Sequence, residues 1–171
     1  MPAVEVRPEP LDSPVARKLI AELNAELSRN YTPEQRFHSL AGEEVAEGAG
    51  AFLVVWLDGT PAGCGAVRML SAVATLGPAV AELKRMYVVP ASRGRGLSRA
   101  VLTELEARAV ALGATRIVLE TGVYQPAAIG LYESAGYARI PCFGAYAASP
   151  TSICFEKRVA VSADVADPAG R

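Results

Sequence analysis

The sequence predicts an α/β fold whose central sheet is mixed, mostly antiparallel, with one parallel strand–helix–strand crossover. Three observations predict it. Helical and strand periodicities alternate along the chain, an apolar hairpin covers residues 51–70, and a strand, a glycine loop, a long helix and a second strand follow one another between residues 81 and 120. This last order implies a right-handed parallel crossover. With 171 residues, 51% of them hydrophobic, the chain fits one domain with a substantial core.

The first elements are a short strand and an amphipathic helix. Residues 4–7 alternate as strand residues do, and residues 15–28 repeat leucine every four positions behind a polar capping residue, Asp12 or Ser13. The helix therefore buries one stripe. The polar stretch 31–50 predicts only one or two helical turns.

The middle of the chain contains the strongest strand signals. Residues 51–57 and 62–70 flank a turn sequence, which predicts an antiparallel pair. A strand over 81–89 ends at Pro90, and the helix that follows runs from about residue 97 to residue 112.

The last third of the chain predicts a strand over 116–120, a short helix over 125–134 and a final strand over 152–159. The residues after 161 are small, polar and punctuated by proline and glycine. We therefore expect one domain over residues 1–161 and a flexible tail over 162–171.

Charge and composition exclude several classes of function. The net charge is −1, so no strong field attracts nucleic acid or anionic lipid, and no apolar run approaches the ~20 residues that cross a bilayer. The cysteines, Cys64, Cys142 and Cys154, lack a CxxC pair, which predicts free core thiols in a cytoplasmic protein. His38 is the only histidine, which removes most metal and triad schemes.

The glycine loop Arg93-Gly94-Arg95-Gly96 opens a helix directly after a strand. Backbone amides and the positive helix end then converge on one point, which suits a phosphate, and Arg99 adds charge. The alternative is a tight turn whose arginines face water. The loop lacks the lysine and hydroxyl of a Walker loop, and Arg99 stands where a dinucleotide loop needs its third glycine. NAD binding is the weaker alternative.

Two motifs resemble the GNAT superfamily of acyl-CoA-dependent N-acetyltransferases. The family motif Arg/Gln-x-x-Gly-x-Gly/Ala is similar to residues 93–98, with Ser98 as the departure. The motif Asn-x-x-Ala-x-x-Leu-Tyr-x-x-x-Gly-Tyr/Phe is similar to residues 125–137, with Gln125 in place of Asn. The resemblance runs from the first strand to Val159 and is weakest over residues 30–50. It implies a splayed sheet flanked by helices.

The resemblance also implies acetyl-CoA as the cofactor. Loop amides would hold its pyrophosphate, and the strand before the loop would pair with the pantetheine arm. The family carries a bulge in this strand, with which the irregular end at residues 88–90 is compatible. The residues expected to contact the cofactor are Met86, Tyr87, Val88, Arg93, Gly94, Arg95, Gly96, Leu97, Ser98, Arg99, Gln125, Ala128 and Tyr132.

For the chemistry, the resemblance gives Tyr132 the role of an acid at the departing sulfur, or else a packing role. It gives the Val88 amide the role of donor to the thioester oxygen. Glu82 is a candidate general base. The alternative is that Glu82 only forms an ion pair with Lys84 or Arg85. In that case the amine would lose its proton to water.

The acceptor is expected to be a primary amine of a small molecule, or else a protein terminus or lysine. Tyr31, Lys84, Arg85 and Tyr146 are candidates for its pocket, because cationic groups there favour a carboxylate near the amine. Surface charge and core aromatic packing are the alternative for each. A non-catalytic acyl-CoA sensor is the second function hypothesis, and a homodimer is possible.

Overall fold

The computed structural model describes residues 1–37, 39–71 and 76–159, so His38 and the predicted tail lie outside the described residues. The described chain forms seven strands and three α-helices. The strands are β1 (Val4–Pro8), β2 (Gly50–Leu57), β3 (Thr60–Leu70), β4 (Val80–Val88), β5 (Arg116–Gly122), β6 (Ala138–Ile140) and β7 (Ser152–Arg158). The helices are α1 (Pro14–Leu27), α2 (Leu97–Ala111) and α3 (Pro126–Ser134). Short 3-10 turns cover Pro33–Gln35, Gly42–Val45, Pro90–Ser92 and Gly144–Tyr146.

The strands form one sheet in the order β1-β2-β3-β4-β5-β7-β6. Every neighbouring pair is antiparallel except β4 and β5, which are parallel and joined through α2. The predicted class and crossover are therefore confirmed. Among the described residues no helix has the length and apolar character needed to span a bilayer. Strand β6 was not predicted, because three residues carry too little periodicity to be recognised.

Helices cover both faces of the β2–β3 hairpin, which explains its dense apolar sequence. Leu53 and Val55 belong to the core cluster that includes Leu105 of α2. The alternate residues Phe52 and Val54 belong to a second cluster with residues of α1. Since successive strand side chains point to opposite faces, a strand with two covered faces is apolar at every position.

A bulge interrupts β4 just before its end. Cys64 pairs with Tyr87 but Ala66 pairs with Lys84, so β4 contains one extra residue between them. Arg85 lies there with a positive φ of 60°. The bulge thus lies upstream of the irregular end at residues 88–90 that the sequence suggested.

Gly65 faces the bulge from β3. A Cβ atom there would lie 2.5 Å from the Met86 sulfur and 2.8 Å from a methyl group of α2, so these side chains would have to shift to admit it. The glycine therefore admits the close approach of α2 and Met86 to the β3 backbone.

The sheet opens between β4 and β5. Their ladder covers only four pairs, from Val80 with Arg116 to Leu83 with Leu119. Beyond Leu83 the two strands continue without pairing to each other, which produces the splay that the resemblance implied. The gap exposes backbone groups of β4 to any molecule placed between the strands.

Two of the three cysteines form a disulfide, so the prediction of three free thiols is wrong for Cys142 and Cys154. The chain reverses between β6 and β7, which brings the Cα atoms of the two cysteines to 5.1 Å. Their separation of 12 residues in the sequence does not reveal this contact. Cys64 is the buried free thiol that was expected, and burial raises its pKa to about 12.

Candidate functional site

Two cavities adjoin at the splay. The larger, about 390 Å³, lies between β4, the glycine loop and α3, and the smaller, about 120 Å³, extends towards β5 and the segment after α1. Met86, Gln125, Ala128 and Tyr132 line both of them. A molecule in one cavity can therefore meet a molecule in the other beside these residues.

The larger cavity contains most of the predicted cofactor residues. All of them line it except Arg95 and Arg99. Arg95 is exposed, and Arg99 donates a hydrogen bond of 2.6 Å to the Ser134 hydroxyl. Neither side chain lines the cavity in this structure, so cofactor contact by Arg95 and Arg99 stays a prediction.

Gly94 and Gly96 give the glycine loop its shape. Their φ values are 76° and 77°, a region that residues with a Cβ avoid. A Cβ on either would meet nothing within 4 Å, so the main chain itself faces open space here. Gly96 directly precedes α2, and the free N–H groups of the first turn of this 15-residue helix point to the same place. The loop has the geometry of an anion site.

Arg93 fastens this loop to the rest of the molecule. Its Nε donates to the Val88 carbonyl at 2.9 Å, and a terminal nitrogen lies 2.8 Å from the Glu26 carboxylate on α1. Part of its charge is thus already paired. The anion site consequently depends more on backbone amides than on arginine charge.

The Val88 amide faces the gap between β4 and β5. In an antiparallel pair, alternate residues bond to the partner strand. The Val89 amide bonds to the Ala62 carbonyl of β3, so the N–H of Val88 points to the opposite edge. This donor lies at the boundary of the larger cavity, as the prediction required.

Tyr132 lies on α3 where the two cavities meet. Its ring is only 5% exposed and packs against Tyr137 and Phe155, with centroid distances of 5.7 and 6.1 Å. Burial, and then the nearby Glu120 carboxylate, raise the pKa of the phenol. The hydroxyl group therefore stays protonated near neutral pH and can donate a hydrogen bond or a proton.

Glu82 is fully engaged by protein groups. One carboxylate oxygen accepts bonds of 2.9 and 2.7 Å from Arg68, and the other accepts the Tyr146 hydroxyl at 2.8 Å. The side chain is 1% exposed and lines neither cavity. Glu82 therefore forms an ion pair, as the alternative interpretation held, but its partner is Arg68 and not Lys84 or Arg85. The β3–β4 register places Arg68 directly opposite Glu82.

The four predicted acceptor-pocket residues, Tyr31, Lys84, Arg85 and Tyr146, all line the smaller cavity. The Lys84 ammonium donates to the Ser39 carbonyl at 2.6 Å, and burial lowers its pKa. Arg85 contacts the Asn24 amide oxygen, and the Tyr31 hydroxyl accepts the Tyr124 amide at 2.9 Å. The structure therefore brings together residues from separate parts of the sequence.

Glu120 and Arg36 also line the smaller cavity, and sequence reasoning missed both. Glu120 follows the last β5 residue that pairs with β4, so its place in the gap depends on where that pairing stops. The Ser152 hydroxyl donates to it at 2.8 Å, while burial raises its pKa. A carboxyl group with a raised pKa in a cleft is typical of a proton-transfer site.

Comparison with known proteins agrees with this architecture. The family model of the Acetyltransferase (GNAT) family matches residues 17–137. The chain is 39% identical to the IAA acetyltransferase of Azospirillum brasilense over 158 residues, which are 92% of this chain and 99% of the relative.

Two solved structures share the fold. A candidate acyl-CoA N-acyltransferase from Klebsiella pneumoniae matches with a TM-score of 0.74 and 28% identity, over 91% of this chain and 97% of that one. The PaiA N-acetyltransferase of Thermoplasma acidophilum, determined in complex with coenzyme A, matches with a TM-score of 0.68 and 16% identity, over 92% and 99%. The splayed sheet, the glycine loop and these matches together establish that the chain belongs to the GNAT family of acetyl-CoA-dependent N-acetyltransferases.

Proposed function

We propose that this acetyltransferase moves the acetyl group of acetyl-CoA directly to the primary amine of a small molecule. The observation that supports this most is the place of Tyr132, between a cavity with a glycine anion site and a cavity lined by charged side chains. The relative from A. brasilense is named for acetylation of IAA, which favours a small-molecule acceptor.

The chain's own residues supply four functions in this scheme. The loop amides around Gly94 and Gly96 hold the diphosphate, and the β4 backbone pairs with the amides of the pantetheine arm. The Val88 N–H donates to the thioester oxygen as negative charge develops on it. The Tyr132 hydroxyl protonates the departing thiolate.

The structure supports the enzyme more than the sensor alternative. A binding module needs the glycine loop and the open strand edge, but it does not need a buried phenol where the two cavities meet. A cytoplasmic location, a homodimer and a domain ending at residue 161 stay predictions.

The direct test is release of free thiol from acetyl-CoA in the presence of primary amines, amino acids and peptides. We expect turnover with a subset of small amines and none with peptides. Tight acetyl-CoA binding with no release for any acceptor would support the sensor. Turnover of peptides alone would overturn the small-molecule assignment.

A further inference from the structure

The smaller cavity has two poles of opposite charge. Glu120 is the one carboxylate among its described lining residues, whereas Arg36, Lys84 and Arg85 are cationic. A pocket lined by more cations than anions attracts an anionic group, and one with both signs favours a ligand that carries both.

Arg36 gives the strongest sign of a missing anion. It ends the turn Pro33–Gln35, and its Nε is buried without a hydrogen-bond partner among the described residues. Buried donors nearly always have a partner, and a guanidinium binds a carboxylate especially well. This donor lies in the segment that resembles the family least, so the family motifs do not account for it.

Lys84 adds a second cation on β4. It is 9% exposed, and within the described residues its hydrogen bond goes to a neutral carbonyl, that of Ser39. No ion pair joins Lys84 to a carboxylate in residues 1–37, 39–71 and 76–159. The Glu82 and Glu44 carboxylates favour its charge without forming a direct ion pair, and an anionic ligand in the cavity would stabilise the ammonium further.

Glu120 forms the negative pole, close to the reacting centre. The Ser152 hydroxyl binds one of its oxygens, and within the described residues the other oxygen has no hydrogen-bond partner. The negative charge of Glu120 contributes to the raised pKa of Tyr132, Tyr31 and Tyr146. Glu120 therefore lies near these three tyrosines, which also line the cavity. An ammonium group beside Glu120 is therefore also near the phenol that serves the leaving sulfur.

We propose that the acceptor is an amino-acid-like zwitterion, with its ammonium at Glu120 and its carboxylate at Arg36 and Lys84. This inference rests on the proposed function and specifies its substrate class. Glu120 takes one ammonium proton, which frees the nitrogen lone pair for attack on the acetyl carbon. As the C–S bond breaks, Tyr132 donates its proton to sulfur and regains one from the second proton that nitrogen loses. Glu120 releases its proton to water, so the products are one amide, one thiol and one proton.

The test compares matched acceptors that differ only in the carboxylate. L-phenylalanine is paired with phenethylamine, L-tryptophan with tryptamine, L-tyrosine with tyramine and L-lysine with cadaverine, each assayed for thiol release from acetyl-CoA. We expect kcat/KM for the best amino acid to exceed that of its decarboxylated partner by about 10-fold or more, since hydrogen bonds to a charged group discriminate on this scale.

Variants then locate the two poles. Arg36→Gln should reduce the amino-acid preference by about 10-fold, mainly through KM, and Arg36→Lys should restore part of it. Arg29→Gln, at an exposed position in the preceding turn, is the matched control and should leave the preference unchanged. Glu120→Gln should lower kcat for every acceptor.

The outcomes separate this inference from the proposed function. Equal turnover of amino acids and their decarboxylated partners, or an unchanged preference in Arg36→Gln, would overturn the zwitterion while amine acetylation stands. Thiol release with none of the acceptors, by protein that binds acetyl-CoA, would overturn both.

Discussion

The two halves of the cleft are built in different ways. The cofactor half uses main-chain groups from one continuous stretch, β4 through the glycine loop into α2, together with α3. The acceptor half uses side chains from residues 31–37, from the β4 bulge, from the end of β5 and from the turn that contains Tyr146. A backbone site depends on where glycines lie along the chain, whereas a side-chain site depends on how distant segments meet. A motif therefore predicts the first as a unit, whereas the second was predicted only residue by residue, and Glu120 and Arg36 were missed.

The largest expected effect tests the backbone half. Gly96→Val and Gly94→Val place a side chain in the open space before α2 and oppose the positive φ. We expect acetyl-CoA affinity, measured by calorimetry, to fall by about 10²-fold or more because amide approach to a diphosphate is blocked.

The matched control is Gly59→Val, which has a similar φ of 76° in the β2–β3 turn and equally open surroundings. It should cost about 1 kcal/mol of stability and leave affinity unchanged. Tight binding by both loop variants would show that the cofactor lies elsewhere.

The next effect concerns the residue that joins the halves. Tyr132→Phe removes the proton donor at the sulfur, so we expect kcat to fall about 10²-fold with cofactor affinity maintained. Tyr137→Phe removes a hydroxyl from the adjacent ring and is the control, because Tyr137 lines neither cavity. Unchanged turnover in Tyr132→Phe would leave this tyrosine with a packing role only.

The variant Glu82→Gln distinguishes a structural role of Glu82 from a role as general base. It removes the charge that Arg68 and Tyr146 bind, so we expect a loss of about 2 kcal/mol in the free energy of unfolding, since Arg68 keeps Glu44 as a partner. Turnover should fall less than about 10-fold. A much larger loss of kcat, together with loss of the acidic limb of the rate–pH profile, would restore Glu82 as the general base.

The smallest effect is the pH dependence of stability that Glu120 produces. Burial raises the pKa of its carboxyl group, so the folded state binds its proton more tightly than the unfolded state does. This contribution is fully present below the ordinary glutamate pKa and is lost as pH rises through the raised value. Glu120→Gln should therefore raise the free energy of unfolding by about 1 kcal/mol at pH 7. The melting temperature of this variant should change less with pH between pH 4 and 8 than that of the wild type. A wild-type profile that rises over this range, unaltered by the substitution, would contradict the raised pKa.

Prediction from the sequence was most successful where local pattern decides structure. The α1 stripe, the β2–β3 hairpin, the parallel crossover and the Gly94–Gly96 loop follow from spacing and backbone preference within short windows. Features that depend on pairing between distant residues were missed or misplaced. These are the bulge at Arg85, strand β6 and the Cys142–Cys154 disulfide.

The sequence by itself predicted the order of the elements apart from β6, and a glycine loop suited to a diphosphate, because periodicity and glycine conformation act over a few residues. Only the tertiary structure decided that Glu82 is held by Arg68 and that Glu120 and Arg36 line the acceptor cavity. The physical reason is that these contacts join distant segments. The β3–β4 register places Arg68 opposite Glu82, and the β4–β5 ladder stops at Leu83 and Leu119, directly before Glu120.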